Sequence, residues 1–160
     1  MQVKFIQSTV GDALKAHKSK KGKVQCSLCA KLKKAIMVKE AKKLKINKLA
    51  TGHHIDDAIE TFFMNMINEG RLNTFSPDTF FDRNGIHLIR PFILVKEEVT
   101  RAITKQMKIP VIVGSCPNEF STQRMDIKNM LEKQFYKNQQ FKASYHNFQV
   151  MLLNGKQSSL

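Results

Sequence analysis

A strand and a helix meet in the stretch Lys48-Leu49-Ala50-Thr51-Gly52-His53-His54-Ile55-Asp56-Asp57. Residues 48–51 form a short strand candidate that Gly52 interrupts, and a helix can begin at the aspartates, run over residues 56–69 and stop at Gly70. Because glycine has no side chain, a turn of this kind lets the backbone approach a ligand closely. The turn is therefore the first candidate binding site.

Strands and helices alternate on both sides of this turn. The predicted elements are a strand at 3–7, a lysine-rich loop to 23, a basic amphipathic helix at 26–44, the strand and helix around Gly52, a hairpin turned at Asn84-Gly85, a helix at 96–108, a strand at 111–113 and a helix at 121–136. This alternation predicts an α/β fold whose parallel sheet has helices on both faces. Ligands bind such sheets beyond the carboxyl ends of the strands, where Gly52 and Cys116 both lie.

The length of 160 residues and a hydrophobic content of 42% are ordinary for one globular domain with its own core. We expect that domain at residues 1–138, followed by a carboxyl-terminal tail at 139–160. No run approaches the roughly 20 apolar residues of a membrane helix, and the amino end does not resemble a signal peptide, so we expect no membrane association and a cytoplasmic location. Three cysteines, an odd number, favour metal or thiol chemistry over a disulfide framework.

Positive charge is concentrated in the first third of the chain. Of the 27 lysine and arginine residues, 14 lie in positions 1–50, where only Asp12 and Glu40 are acidic. Such a patch attracts a polyanion, and nucleic acid is the most common candidate. The alternative is a solvated, lysine-coated face that only keeps the protein soluble.

The cysteines suggest a metal site. Cys26 and Cys29 fall on the first turn of the predicted basic helix, where the helix dipole stabilises thiolates, and Cys116 offers a third ligand from another loop. Three cysteines suit a 4Fe-4S cluster with one open iron, or a zinc site completed by histidine or water. Alternatively, Cys116 is an ordinary small residue after a strand.

The block around the glycine turn has three interpretations. Its carboxylates could hold Mg²⁺ on a polyphosphate or contact a nucleotide. His53, His54, Asp56 and Asp57 could instead bind metal directly, as in metal-dependent phosphohydrolases. The aspartates could also only cap the helix, which would account for one of them but not for both together with two histidines.

The order of the motifs resembles a known family. Cys26-Ser-Leu-Cys29 with Lys31-Leu-Lys33-Lys34, Thr51-Gly-His-His-Ile-Asp-Asp57 with Glu60-Thr61, Ile89-Arg90-Pro91, and Cys116-Pro117 with Thr122-Gln123-Arg124 are similar to the tRNA 2-thiocytidine synthetase branch of the PP-loop ATP pyrophosphatases, over roughly residues 1 to 135. The resemblance implies that Cys26, Cys29 and Cys116 bind the cluster. It also implies that Gly52, His53 and Asp57 line the ATP site, and that Asp57 and Lys33 are catalytic.

By the same resemblance, the family adenylates a tRNA base and replaces its oxygen with sulfur carried on the open iron. The implied cofactors are a 4Fe-4S cluster, ATP and Mg²⁺, and the implied partners are tRNA, a sulfur donor and a second copy of the chain or a missing amino-terminal half. One departure is that the Ser-Gly-Gly-x-Asp-Ser phosphate loop of the family is absent from the 160 residues. We therefore expect the first strands of the sheet to be missing, through truncation, separate encoding or degeneration, and activity to be lost or to depend on a partner.

Two hypotheses from other classes stay open at this point. The first is a non-catalytic, metal-stabilised RNA-binding module that uses the cysteines and the lysines. The second is a metal-dependent phosphohydrolase that uses the block of two histidines and two aspartates.

Overall fold

The computed structural model of the protein describes residues 5–17, 26–111, 116 and 122–154. Within these ranges the chain forms six helices and three strands. In chain order they are α1 (Val10–Ala16), α2 (Cys26–Lys43), β1 (Lys48–Ala50), α3 (Ile55–Glu69), β2 (Asp78–Phe81), β3 (Ile86–Ile89), α4 (Glu97–Gln106), α5 (Gln123–Lys137) and α6 (Gln139–Asn154).

The three strands form one sheet in the order β1-β3-β2. β1 pairs with β3 in parallel, with Leu49 opposite Leu88, and β2 pairs with β3 in antiparallel fashion, with Thr79 opposite the same Leu88. The hairpin turns at Gly85, whose φ of +63° lies in the left-handed region that glycine adopts without strain. The α/β class is thus confirmed, but the sheet of the described residues is mixed rather than wholly parallel.

The core lies between α3 and α5. It consists of buried side chains from α3, α5 and the segment after β3, namely Ile55, Ala58, Ile59, Ile93, Ile127 and Leu131. Burying an aliphatic side chain of this size contributes about 1.5–3 kcal/mol, so this cluster fixes α5 against α3. Apolar residues recur along α3 as a stripe, in which Ile59 is fully buried whereas Met66 and Ile67 are exposed.

Helix α6 covers the same core from the other end of the chain. Phe141, Tyr145 and Phe148 pack against the cluster, and the Phe148 ring lies 5.2 Å from that of Phe62. These three aromatic residues recur at helical spacing, so one face of α6 is apolar. Residues 139–154, for which the sequence predicts no element, therefore form a packed helix.

Other boundaries agree with the sequence to within a few residues. Helix α3 ends at Gly70, whose φ is +65°, as its glycine predicts. The segment predicted as a lysine-rich loop instead contains α1. Residues 5–7 and Val111 have no strand structure, and the other residues of the two strands predicted there, 3–4 and 112–113, lie outside the described ranges.

Candidate functional site

The glycine turn lies at the carboxyl end of β1. The Thr51 amide continues the parallel pairing by donating to the Ile89 carbonyl at 3.0 Å, and the chain then leaves the sheet through Gly52. A Cβ atom at Gly52 would meet nothing within 4 Å, so packing in the described structure does not require glycine there. The turn nevertheless stands at the end of a strand, where ligands of α/β sheets bind.

His54 and Asp57 fix the start of α3 through a reciprocal capping box. The Asp57 amide donates to His54 Nδ1 at 3.3 Å, and the His54 amide donates to Asp57 Oδ2 at 3.0 Å. These two bonds satisfy amide donors that have no partner inside the helix. Part of the polar character of the turn is therefore structural.

Asp56 caps a different helix. Its Oδ2 accepts a hydrogen bond from the Glu97 amide at 2.7 Å, which satisfies the first turn of α4. The capping interpretation was expected to account for only one aspartate, and this expectation is wrong because the second cap belongs to α4, 41 residues away. Both carboxylates therefore have structural partners.

Arg124, at the start of α5, reaches the same turn. Its Nη1 donates to Asp57 Oδ1 at 3.1 Å and to Glu60 Oε2 at 3.0 Å, and its Nη2 donates to Thr61 Oγ1 at 3.0 Å. Burial raises the pKa of Glu60, and the Arg124 guanidinium opposes that shift. Arg124 thus neutralises two carboxylates on consecutive turns of α3.

His53 is the residue of the turn that points away from this network. It shares a hydrogen bond of 2.8 Å with Thr51 Oγ1, and its ring centroid lies 5.1 Å from that of Phe75. Burial lowers the pKa of His53 below 6.5, and although the Asp57 carboxylate opposes this shift, nearby Arg90 and Arg124 reinforce it. The imidazole is therefore held neutral at physiological pH.

Arg90 packs against the same Phe75 ring as His53. Its guanidinium lies 4.6 Å above the Phe75 ring, and its Nη1 donates to Thr79 Oγ1 at 3.1 Å and to the Ser76 carbonyl. Its buried Nε atom has no hydrogen-bond partner within the described structure. An unpaired buried donor is costly, so this atom marks a place where a further acceptor would be stabilising.

The predicted cluster ligands Cys26 and Cys29 lie on the first turn of α2. Lys33 lies about two turns after Cys26. Positions i, i+3 and i+7 share one face of a helix, so these three side chains point to the same side. Cys26, Lys33 and Cys116 are exposed, and Cys29 is partly exposed. None of the three cysteines, all of which are described, forms a disulfide.

The three thiols suit a 4Fe-4S cluster in number and type, but the described structure does not bring them together. Over residues 5–17, 26–111, 116 and 122–154, no group of three or more histidine, cysteine, aspartate or glutamate side chains is arranged to hold a metal ion. The donor set therefore fits an iron–sulfur cluster in its chemistry and not in its geometry.

The same result applies to the alternative metal site in the glycine turn. His54, Asp56 and Asp57 act as helix caps, and His53 points toward Thr51 and Phe75. The geometry of the described turn gives no support to direct metal binding by this block.

Sequence reasoning assigned no role to Arg124, Glu60 or Arg90. One signal was available in the sequence. Glu60 is a charged residue in the apolar stripe of α3, three positions after Asp57, and a carboxylate buried in such a stripe needs a cation. The identity of that cation was not accessible from the sequence, because Arg124 lies 64 residues away.

In the part of the chain that the structure describes, no helix has the length and apolar character needed to cross a membrane.

A mixed sheet with a glycine turn at the carboxyl end of its parallel strand defines an α/β domain of the ligand-binding kind. The PP-loop domain family matches residues 3–152, and the chain belongs to this family.

Curated relatives and a solved structure are similar to the chain. It is 41% identical to a tRNA-cytidine(32) 2-sulfurtransferase of Idiomarina loihiensis over 119 residues, which are 71% of this chain and 39% of the relative. It is 38% identical to the protein of the same name from Ralstonia nicotianae over 112 residues, which are 69% of this chain and 36% of the relative. The chain thus spans less than half of the length of these two relatives.

The solved structure is the U34-tRNA thiolase NcsA from Methanococcus maripaludis with its 4Fe-4S cluster. It superimposes with a TM-score of 0.60 at 20% sequence identity, over 81% of this chain and 44% of that chain. At this identity the similarity shows a shared fold.

Proposed function

We propose that the chain takes part in the ATP-dependent 2-thiolation of cytidine in tRNA. The observation that carries this proposal is the 41% identity over 119 residues to a protein named tRNA-cytidine(32) 2-sulfurtransferase. Membership of the PP-loop domain family supports ATP as the activating cofactor. Because the chain spans 39% of that relative, the activity is proposed for an assembly that includes this chain and a phosphate-binding loop.

The ATP site is proposed at the glycine turn, with Gly52, His53 and Asp57 as its residues. The amino terminus of α3 offers the positive end of a helix dipole, which favours an anion. Its His54, Ile55 and Asp57 amides already donate within the protein. Asp57 is bound by Arg124 and by the His54 amide, so its role is to hold this helix end in place. Both aspartates already have partners, and we therefore propose that Mg²⁺ enters on the nucleotide rather than in a preformed protein site.

The neutral imidazole of His53 is suited to contact a nucleotide, because it can donate and accept hydrogen bonds without adding charge. His53 also lies between the turn and Phe75, whose ring packs against Arg90. These contacts hold the imidazole at the mouth of the proposed site.

We propose that Cys26, Cys29 and Cys116 hold a 4Fe-4S cluster in the active assembly. Three thiolates leave one iron open, and such an iron supplies a place to carry sulfur. Lys33 shares the helix face of Cys26 and Cys29, so its ammonium is proposed to attract the tRNA phosphates or the adenylated base to that face. The sulfur donor, a homodimer or a separate amino-terminal half, and a cytoplasmic location are parts of the same proposal.

The direct test measures 2-thiocytidine in tRNA. The 160-residue chain is expressed with a segment that carries the Ser-Gly-Gly-x-Asp-Ser loop, reconstituted anaerobically with iron and sulfide, and incubated with unmodified tRNA, ATP, Mg²⁺ and sulfide as the sulfur donor. Mass spectrometry of the digested tRNA should show 2-thiocytidine that depends on ATP.

Replacing Cys26 or Cys29 with serine should abolish thiolation. The matched control replaces Ser27, which lies between them, with alanine and should leave thiolation intact. A complete, iron-loaded assembly that yields no 2-thiocytidine, while the Idiomarina loihiensis relative does so in parallel, would reject the proposal.

A further inference from the structure

A basic groove runs between α2 and the turn of the β2–β3 hairpin. Its cavity volume is about 890 Å³. Its charged lining comes from four lysines of α2 and from the hairpin turn: Lys31, Lys34, Lys39, Lys42, Asp82 and Arg83. Five cations therefore face one carboxylate across this groove.

These lysines carry uncompensated charge. Some other cations of the described chain have carboxylate partners, such as Lys43 with Glu40 at 2.7 Å and Lys128 with Glu97 at 2.6 Å. Among the described residues, none of the four groove lysines has such a partner. Opposed like charges that stay close without a counter-charge raise the local affinity for an anion.

The groove also has an aromatic floor. Phe80 and Phe81 line it, and the Lys34 ammonium lies 4.9 Å above the Phe81 ring. A cation held over an aromatic face is oriented rather than freely mobile. The charge of Lys34 is thus fixed along the wall of the groove.

The helical positions separate this groove from the cysteines. At roughly 100° per residue, Lys31, Lys34 and Lys42 point to one side of α2, and the face shared by Cys26, Cys29 and Lys33 points to the opposite side. From Lys31 to Lys42 the row of charges extends about 16 Å at 1.5 Å per residue, which is long enough to face several successive phosphates. A ligand that spans this row is therefore extended and anionic, and it lies on the side of α2 opposite the cysteines.

We propose that the groove between α2 and the β2–β3 turn binds the phosphate backbone of tRNA at a distance from the nucleotide that is modified. This inference rests on the proposed function, because it takes tRNA as the substrate. It adds that the lysines of α2 are divided between two faces, one beside the cysteines and one that only anchors the RNA.

The test compares two triple variants that remove the same charge. The groove variant carries Lys31→Gln, Lys34→Gln and Lys42→Gln, and the control carries Lys43→Gln, Lys45→Gln and Lys48→Gln, which lie close by but do not line the groove. Fluorescence anisotropy with labelled tRNA gives the affinity of the 160-residue chain and of each variant between low and high salt. Circular dichroism confirms that each variant keeps its helices.

Counterion release sets the expected result. Loss of up to three phosphate contacts should flatten the slope of log affinity against log salt by about 2 to 3 units in the groove variant, and by less than about 1 unit in the control. The single variant Arg83→Gln, on the opposite wall of the groove, should flatten the slope by about 1 unit without changing α2.

Each other outcome rejects a defined part of the inference. If the unaltered chain binds tRNA but both triple variants flatten the slope equally, the groove is not the site, and the proposed function stands. If poly-L-glutamate displaces tRNA at equal charge concentration, the groove recognises acidic polypeptide as well as RNA, and the assignment to RNA is wrong. If the unaltered chain does not bind tRNA, the groove assignment fails, whereas the proposed function is judged separately by the thiolation assay of the complete assembly.

Discussion

Arg124 Nη1 lies 3.1 Å from Asp57 Oδ1, although 67 residues separate the two in sequence. This contact joins the first turn of α5 to the first turn of α3, directly beside the glycine turn. The orientation of the proposed nucleotide site thus depends on a helix whose contacting arginine follows Asp57 by 67 residues. Because Arg124 also binds the buried Glu60, any change at Arg124 affects both the core and the turn.

We predict that Arg124→Ala lowers the free energy of unfolding by about 1–3 kcal/mol. The substitution leaves Glu60, whose side chain is 7% exposed, without its cation, and unpaired buried charge is the costly part of a broken ion pair. The Arg124 side chain is itself 39% exposed, so solvent screening keeps the expected loss below that of a fully buried pair. Urea denaturation followed by circular dichroism measures this loss.

The matched control is Arg71→Ala. Arg71 pairs with Glu69 at 3.5 Å on the surface, where both side chains are more than half exposed, and such pairs contribute less than about 1 kcal/mol. Equal losses for the two arginine variants would contradict the structural role of Arg124.

We predict that His53 makes stability depend on pH below 6.5. Burial lowers the pKa of His53, so the unfolded chain binds a proton more readily than the folded chain does. The contribution of His53 to stability is therefore fully present above pH 6.5 and is lost as the pH falls from 6.5 toward the lowered pKa. In His53→Gln this loss should disappear, which unfolding curves at a series of pH values measure as a shrinking difference from the unaltered chain.

His17→Gln serves as the control, since His17 is exposed on the end of α1 and far in sequence from the turn. This variant keeps His53 and should therefore keep the loss of stability with falling pH that His53 causes. Parallel pH profiles for His53→Gln and the unaltered chain would show that the imidazole is not held neutral.

Glu60 acts in the opposite direction. Burial raises its pKa above 4.5, so the folded chain binds a proton more readily than the unfolded chain, and stability falls as the pH rises from 4.5 toward the raised pKa. We predict that Glu60→Gln removes this fall, while its hydrogen bond from Arg124 is kept by the amide oxygen. A profile that keeps the same slope in Glu60→Gln would assign the pH dependence to other carboxylates.

Local signals made part of this fold predictable. Gly70 ends α3 and Gly85 turns the hairpin, both with φ values above +60°, and each effect is confined to a few residues of the chain. The carboxylates of Asp56 and Asp57 also predicted that a helix starts there. Such features depend on backbone conformation and hydrogen bonds near the residue that signals them.

Contacts between distant segments were not predictable in the same way. Asp56 caps α4 and Arg124 binds Asp57 only because the fold brings three helices together, and no spacing in the sequence encodes those distances. Helix α6 is an intermediate case. The spacing of Phe141, Tyr145 and Phe148 carries a helical signal that the polar composition around it obscured.

We predict that Cys26→Ala, Cys29→Ala and Cys116→Ala each abolish binding of the 4Fe-4S cluster. Each substitution removes one of only three proposed ligands, and a metal site of this kind loses most of its affinity for the metal when one ligand is removed. The measurement is iron content together with the visible absorption of anaerobically reconstituted protein. Among the described residues, Cys116 is not grouped with the other two thiols, so Cys116→Ala is the decisive variant.

Unchanged iron content and spectrum in Cys116→Ala would remove Cys116 from the ligand set. A colourless protein that binds zinc through Cys26 and Cys29 would instead support a metal-stabilised RNA-binding module. Ser27→Ala, between the two cysteines, tests whether the helix end itself was disturbed.

The last prediction concerns the source of the phosphate-binding amides. The 160 residues contain no Ser-Gly-Gly-x-Asp-Ser loop. At the glycine turn the donors would be the amides at the start of α3, of which those of His54, Ile55 and Asp57 already donate within the protein. We expect the chain alone to bind ATP weakly and to release no AMP or pyrophosphate. Supplying the loop, fused or as a separate chain, should restore release of both products, as measured by a coupled pyrophosphate assay.

In that complete enzyme, Asp57→Asn should abolish pyrophosphate release, because the amide replaces the charge that binds Arg124 at the mouth of the site. Asp56→Asn is the matched control, since its carboxylate caps α4 and can be replaced by an amide oxygen that also accepts the Glu97 hydrogen bond. It should keep most of the activity. Robust release of AMP and pyrophosphate by the 160-residue chain alone, with the Asp57 variant equally active, would show that the nucleotide binds elsewhere.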